Sequence, residues 1–249
     1  MRTLLSWSTG KDSAWTLHTL RRRPDVTVVG LVTTINEAFD RVAMHGVRRE
    51  LLEAQAEAAG LPLHVLPIPS PCPNEVYERI MGAFVARQAA EGVEAMAFGD
   101  LFLEDIRRYR ESRLAGTGIV PQFPLWGLDT ARLARDMIAG GIEAYVTCVN
   151  PSKLPAHFAG RRFDLDLLAE LPAGVDPCAE NGEFHTFACA GPMFNAPIAA
   201  DVGEIVTRDG FVFCDLASSP APRIPSPLGE EVPVVSKTRF QHDGRMRGP

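Results

Sequence analysis

A chain of 249 residues, 46% hydrophobic and 22% charged, has ample material for one large core or two small ones and the balance of a globular protein. Its net charge of −6 argues against a broad nucleic-acid-binding surface, and no apolar run approaches the roughly 20 residues that span a membrane. The N-terminus does not read as a signal peptide, and five scattered cysteines without a Cys-x-x-Cys pair suit reduced thiols in a cytoplasmic protein rather than zinc or iron–sulfur ligands.

Residues 4–7 form a short apolar run that ends in Ser8-Thr9-Gly10, and a helical pattern follows over 13–22, stopped by Pro24. The β-branched run 25–33 suits a strand buried on both faces. Residues 34–46 read as polar and irregular, 47–59 as a helix closed by Gly60, and 63–68 as a third strand. Alternate prolines to residue 73 predict an extended exit, with Asn74 as cap of a helix over 75–91. A fourth strand at 93–98 leaves through Gly99-Asp100 into a helix over 103–113. Residues 119–123 predict a fifth strand weakened by Pro121, 128–139 a helix and 144–149 a short strand.

Strands and helices alternating in this way predict an α/β fold, a doubly wound, Rossmann-like parallel sheet. Ligands bind beyond the carboxyl ends of such strands, so the loops after Trp7, Thr33, Ile68 and Phe98 should share one rim. Beyond residue 151 come a short helix (164–171), a loop-rich stretch (172–187) and a hairpin around Asp209-Gly210, which predict a smaller C-terminal α+β cap. The expected division is 1–140, 141–217 and a proline-rich tail, 218–249, without a core of its own.

Around residues 8–13 the pattern strand, tight loop, helix start aims backbone N–H groups and a helix dipole at one spot, which favours an anion. Ser8, Thr9 and Ser13 add hydroxyls, Gly10 allows close approach and Lys11 adds charge, so phosphate is the suited ligand. The common phosphate loop is excluded, because Leu5 stands where its first glycine belongs and Asp12 follows the lysine. Ser8-Thr9-Gly10-Lys11-Asp12-Ser13 instead resembles the Ser-Gly-Gly-Lys-Asp-Ser pyrophosphate loop (PP-loop) of ATP pyrophosphatases at five of six positions. Thr9 replaces a glycine, which requires that the position not need a positive φ.

A second cluster, residues 176–186, gathers Asp176, Cys178, Glu180, Asn181, Glu183, His185 and Thr186, a set able to bind Mg²⁺ or exchange protons with an amine; a polar turn before a strand is the plainer reading. The loop, the helix around residues 50–57, Phe98-Gly99-Asp100, Pro124-Leu125-Trp126-Gly127 and the run 180–186 together resemble the diphthine–ammonia ligase family of PP-loop ATP pyrophosphatases, over residues 1–216 and in the same order. Ala179 stands where that family usually has glycine, and Phe184-His185 resembles its bacterial-type members, whose acceptor would lie outside elongation-factor diphthamide.

The resemblance implies an adenine nucleotide alpha hydrolase-like fold and a ligase that adenylates a carboxylate with ATP, releases pyrophosphate and amidates the acyl group with ammonia. It implies that Ser8, Thr9, Gly10, Lys11, Asp12 and Ser13 hold the ATP phosphates with Mg²⁺ at Asp12, that Val32 and Thr33 face the adenine, and that Lys11 stabilises the leaving pyrophosphate. Glu180, Glu183 and His185 would serve the ammonia step, with Asn181 and Thr186 beside the acceptor, a small-molecule or protein carboxylate. No membrane or nucleic-acid partner is expected, and a homodimer is compatible with these features.

Asp100 reads either as a metal or substrate contact or as a turn residue, and His45 as a substrate contact or an ordinary loop histidine. The arginines at 107, 108, 110 and 113 read mainly as a solvated helix face with pairs such as Glu104–Arg108, and Cys178 as structural rather than nucleophilic. Two other functions fit less well. A sulfur-transferring tRNA-modifying PP-loop enzyme usually carries paired thiols and a basic extension, and an ATP-binding regulatory module would hold nucleotide without turnover.

Overall fold

The computed structural model describes residues 1–219; the tail expected from the sequence lies, beyond that point, outside the described residues. Five strands form a parallel sheet: β1 (Arg2–Ser6), β2 (Thr27–Asn36), β4 (Leu63–Ile68), β5 (Ala95–Ala97) and β6 (Val120–Gln122), with the two-residue β3 (Arg41–Val42) antiparallel to β2. Strands β1 and β4 both pair with Leu31 and Val32, so they flank β2 on opposite edges. The parallel order is therefore β4-β2-β1-β5-β6, and its direction reverses between β1 and β5. That switch point opens a crevice at the carboxyl ends of the two strands. Pro121 is tolerated because β6 is an edge strand.

Helices α1 (Lys11–Arg21), α2 (Arg49–Ala59), α3 (Asn74–Ala90), α4 (Glu104–Leu114) and α5 (Thr130–Ala139) cover both faces. Leu5, Leu31 and Ala97 pack with Leu17 of α1, Leu51 and Leu52 of α2 and Met137 of α5. Their strand neighbours Leu4, Val32 and Met96 turn the other way, onto Phe84 and Val85 of α3 and Leu114 of α4. The near-continuous apolar strands follow from burial on both faces.

A second sheet, order β8-β7-β10-β9, is antiparallel and packs into the same core as α1, α2 and α5. Its strands are β7 (Glu143–Val149), β8 (Phe184–Ala190), β9 (Ala200–Arg208) and β10 (Phe211–Ser218), with α6 (Leu165–Glu170) between β7 and β8. Strand β7 thus leaves the parallel alternation that the sequence suggested. The turn Asp209-Gly210 has positive φ at both residues, the geometry of a two-residue hairpin.

Three local expectations need correction. Strand β2 runs on to Asn36 and folds back on β3 where an irregular loop was expected, because pairing with β4 continues through Asn36. Asn74 is the first helical residue of α3 and Pro73 its N-cap, with no side-chain cap bond. Helix α4 uses the pair Arg107–Glu111 instead of Glu104–Arg108, which leaves the Arg107 guanidinium over the rings of Phe123 and Trp126.

Gly99, at the exit of β5, sits directly on the first turn of α1: a Cβ there would meet the Asp12 backbone carbonyl carbon at 3.1 Å and the Ser13 nitrogen at 3.2 Å. Gly99→Ala should cost about 1–3 kcal/mol, since backbone cannot move aside as a side chain can. Urea unfolding measures that cost; a midpoint equal to wild type would refute the close packing.

Candidate active site

The loop between β1 and α1 is gripped by the second sheet. Ala188 N–H donates to the Thr9 carbonyl at 2.9 Å, and Lys11 N–H, an orphan donor of the helix start, donates to Thr186 Oγ1 at 3.1 Å. Gln55 of α2, fully buried, completes the junction. Its Nε2 donates to the carbonyls of Thr9 and Ala188 (2.9 and 2.6 Å), and its Oε1 accepts from Trp7 Nε1 at 2.9 Å.

This grip explains two residues of the loop. Thr9 has φ 73, the left-handed conformation the sequence reading required it to avoid. A β-branched residue there costs roughly 1–3 kcal/mol and persists only where its surroundings over-determine it; two donors on its carbonyl do so here. Gly10 has an ordinary φ of −82°, so its role is space. A Cβ on Gly10 would meet His45 Cε1 at 3.0 Å and the Thr186 carbonyl oxygen at 3.2 Å.

Ser8 Oγ donates to Ser13 Oγ at 3.2 Å, and Ser13 Oγ donates to the Gly10 carbonyl. The N–H groups of Asp12 and Ser13 open the helix and have no intrahelical acceptor. Lys11 turns its side chain away from them, into the second sheet. Only 2% exposed, its ammonium donates to the Cys178 carbonyl (2.5 Å) and Asp12 Oδ2 (2.9 Å) and lies over the rings of Phe163 and Phe184. Burial alone would lower the lysine; Asp12 foremost, with Asp176, overrides it, and the ammonium is held above its usual range.

Asp12 Oδ1 is buried with no hydrogen-bond partner, an orphaned acceptor at the helix start. Among the described residues no group of three or more metal-ligating side chains forms a cage. One carboxylate fits Mg²⁺ all the same, because that ion is usually held by one or two carboxylates together with substrate phosphates and water.

The 176–183 loop reaches across to the end of β5. Glu180 Oε1 accepts from Leu101 N–H at 2.7 Å and Phe102 N–H at 3.4 Å, while Glu180 N–H donates to Asp176 Oδ2 at 2.8 Å. Burial, then the carboxylates of Asp12 and Asp100, push the Glu180 carboxyl up to about 7 against those hydrogen bonds. Asp100 itself accepts two hydrogen bonds from Arg110, which lies 4.4 Å from the Phe98 ring.

Glu183 turns inward: Oε1 accepts from Asp176 N–H and Asn181 Nδ2, both at 3.1 Å, and Oε2 is buried without a partner. Asn181 is exposed, its carbonyl taken by Lys153 Nζ. Cys178 packs against the Thr130 carbonyl, and burial pushes its thiol far up, as suits a structural cysteine.

His45, from the turn after β3, donates Nδ1–H to the Thr186 carbonyl at 3.1 Å, and its ring lies 4.5 Å from that of His185. Burial holds both imidazoles neutral, His45 well below its usual range and His185 at about 4, with Lys11 adding repulsion. With Nδ1 protonated, Nε2 of His45 is an acceptor. Val32 lies apart: its side chain is in the α3–α4 core and its carbonyl accepts from Trp7 N–H, while Thr33 is buried beside it in β2.

The structure thus brings Ser8–Ser13, His45, Asp100, Glu180, His185 and Thr186 around the switch point. The sequence reading gave no role to Gln55 or Trp7, and took Arg110 mainly for part of a solvated helix face, where the structure pairs it with Asp100. Gln55 carried a signal, being polar at the apolar spacing of Leu51 and Ala59.

An N–H-rich helix start at the switch point of a Rossmann-like sheet, with a raised carboxylate beside it, defines a PP-loop nucleotide enzyme. Residues 1–119 match the family model of the diphthamide synthase N-terminal domain and residues 129–217 that of its C-terminal domain. The chain is 27% identical to a diphthine–ammonia ligase of Bos taurus and 26% identical to one of Homo sapiens, in each case over 87% of this chain and 89% of the relative. One from Danio rerio is 27% identical over 72% of this chain and 76% of its own length. The chain belongs to the diphthine–ammonia ligase family, and is an ATP-dependent, amide-forming ligase. No helix among the described residues is long and apolar enough to cross a membrane.

Two outcomes follow. Gln55→Leu strands the Trp7 indole N–H and the Ala188 carbonyl, at roughly 1–3 kcal/mol for each buried group left unpaired; chemical denaturation should show a loss of at least about 2 kcal/mol, and a loss below 0.5 would mean the junction repacks. His185 is neutral when folded, with its value near 4 against 6.5 unfolded. Its stabilisation is whole above pH 6.5 and is lost as pH falls from 6.5 through 4. The thermal midpoint should drop over that window, and less steeply in His185→Gln; parallel curves would exclude the contribution.

Proposed function

We propose that this ligase adenylates a carboxylate and amidates it with ammonia at the β1–β5 crevice, with Glu180 as proton acceptor of the second step. The carrying observation is Glu180: a carboxyl raised to about 7, bonded to the exit of β5 and close in charge to Asp12 on the PP-loop helix. Such a group holds a proton near neutral pH and releases it as readily, which suits ammonium.

In this reading the N–H groups of Asp12 and Ser13, with Ser8 and Ser13 hydroxyls, hold the phosphates, and Asp12 Oδ1 holds Mg²⁺, which neutralises phosphate charge when bound. Lys11 adds a fixed positive charge behind the loop as the bond from the α-phosphorus to its bridging oxygen breaks. A carboxylate oxygen of the acceptor forms the new bond to that phosphorus, and pyrophosphate leaves. Ammonia then attacks the acyl carbon, the carbon–oxygen bond breaks and AMP departs; the proton lost from nitrogen goes to Glu180. His45, His185 and Thr186 line the acyl side, Asp100 orients the β5 exit, and Glu183 and Asn181 shape the loop that presents Glu180. Thr33 contributes the β2 wall nearest the adenine, with Val32 supporting it from the α3–α4 core. The relatives' name pairs diphthine with ammonia; ammonia is carried over here, and the acceptor is a carboxylate of a small molecule or protein. A cytoplasmic setting supplies ATP and suits the free cysteines.

Purified protein with ATP, Mg²⁺, ammonium and a panel of carboxylates should form AMP and pyrophosphate only when the acceptor is present. ATP binding without turnover across the panel would instead favour a regulatory module. With the acceptor, kcat/KM should rise with pH through an apparent pKa near 7. Glu180→Gln should lose that limb and 10²–10⁴-fold in rate; an unchanged limb would remove Glu180 from the proton transfer.

A further inference from the structure

We propose that the cavity between α3 and α4 receives the body of the acceptor, and that this body is flat and apolar and carries its carboxylate toward Arg110. The inference rests on the ligase reading above and adds the class of substrate. The cavity measures about 520 Å³, within the usual size of small-molecule sites. Its floor is Met81, Val85, Met96, Phe98 and Leu114, and its mouth includes Tyr77, Tyr109 and Arg110. Thioether, aliphatic and aromatic surfaces of this kind favour a flat hydrophobic group.

Two observations tie this cavity to binding. Gly82 lies in the interior of α3, where glycine is less favourable than alanine. No packing demands it, because a Cβ there would meet nothing within 4 Å. Gly99 and Gly10, by contrast, are required by close neighbours. At Gly82 the missing side chain leaves the cavity open. The second observation is Arg110, which belongs both to the cavity wall and to the site. Its Nε and Nη2 donate to Asp100, and its plane lies over Phe98. Its Nη1 has no partner among the described residues, so a further donor edge is available to a carboxylate. Asp100 follows Gly99, which touches the first turn of α1. The Arg110–Asp100 pair therefore links the cavity wall, through Gly99, to the first turn of α1 on which the phosphates are held.

The test uses 2-naphthoate as a flat apolar carboxylate, titrated by fluorescence into the full chain, with ATP binding measured separately by calorimetry. Leucine is a better helix former than glycine, so Gly82→Leu fills the cavity without threatening α3. Wild type should bind naphthoate saturably, Gly82→Ala more weakly and Gly82→Leu at least tenfold more weakly, while both variants bind ATP within twofold of wild type. Equal naphthoate binding in wild type and Gly82→Leu, or none in wild type, overturns the proposal. Loss of ATP and naphthoate together in Gly82→Leu would make the cavity the nucleotide pocket and also overturn it. If wild type binds naphthoate but not ATP, the ligase reading fails instead, and with it the cavity's role as acceptor site.

Discussion

Strand β8 closing on the loop between β1 and α1 is the contact on which the rest of this molecule depends. Thr186 and Ala188 supply a hydroxyl and an amide to backbone groups that the loop and helix start cannot satisfy themselves. Because the donors and acceptors come from two sheets, neither sheet can finish the phosphate loop alone. Gln55 makes the junction obligatory, since its amide is shared among Trp7, Thr9 and Ala188 in a space with no water-exposed surface. Buried amide groups are tolerated when fully paired, and become costly when one partner is lost.

The same closure arranges charge. Lys11 is drawn under the second sheet, where the Cys178 carbonyl and two aromatic faces replace its hydration. A buried ammonium needs an opposite charge, and Asp12 provides it through one oxygen while the other stays unpaired. Glu180, short of a cation of its own, responds by holding its proton more tightly, and the two nearby histidines respond by staying neutral. A site of one fixed cation, one paired carboxylate, two neutral histidines and one carboxyl poised near neutral pH suits phosphate departure followed by proton removal.

Much of the scaffold was legible because its determinants are local or periodic. Apolar runs of strand length alternating with amphipathic helices announced the doubly wound sheet, and Asp209-Gly210 announced the hairpin of the second sheet. The hidden features come from residues far apart in the chain. Strand β2 extends past Thr33 because β4 is there to pair with it, and Gln55 matters because β8, entering much later, places the Ala188 carbonyl beside it. In the second cluster the sequence named the residue types correctly, yet their directions were invisible: Glu180 reaches across to β5, whereas Glu183 turns back on Asp176. Alternation along β8 helps to divide such neighbours, placing His185 beside His45 and Phe184 in the core.

Two non-glycine residues with left-handed backbone bracket Lys11, and both stand where the resembling motif has glycine. Thr9 (φ 73) precedes it by two residues, and Ala179 (φ 61) follows the Cys178 carbonyl that accepts from its ammonium. Such residues cost roughly 1–3 kcal/mol in that conformation. They also remove unfolded-state freedom worth about 0.4–1 kcal/mol relative to glycine, which offsets part of that cost. The return is stiffness: a side chain at either position narrows the alternatives open to the loop once the two sheets have closed on it. Donors held in place before the phosphates arrive need no reordering when they bind. The odd threonine in the phosphate loop is thus consistent with a site whose rigidity comes from the second sheet, where a glycine loop would rely on the ligand to order it.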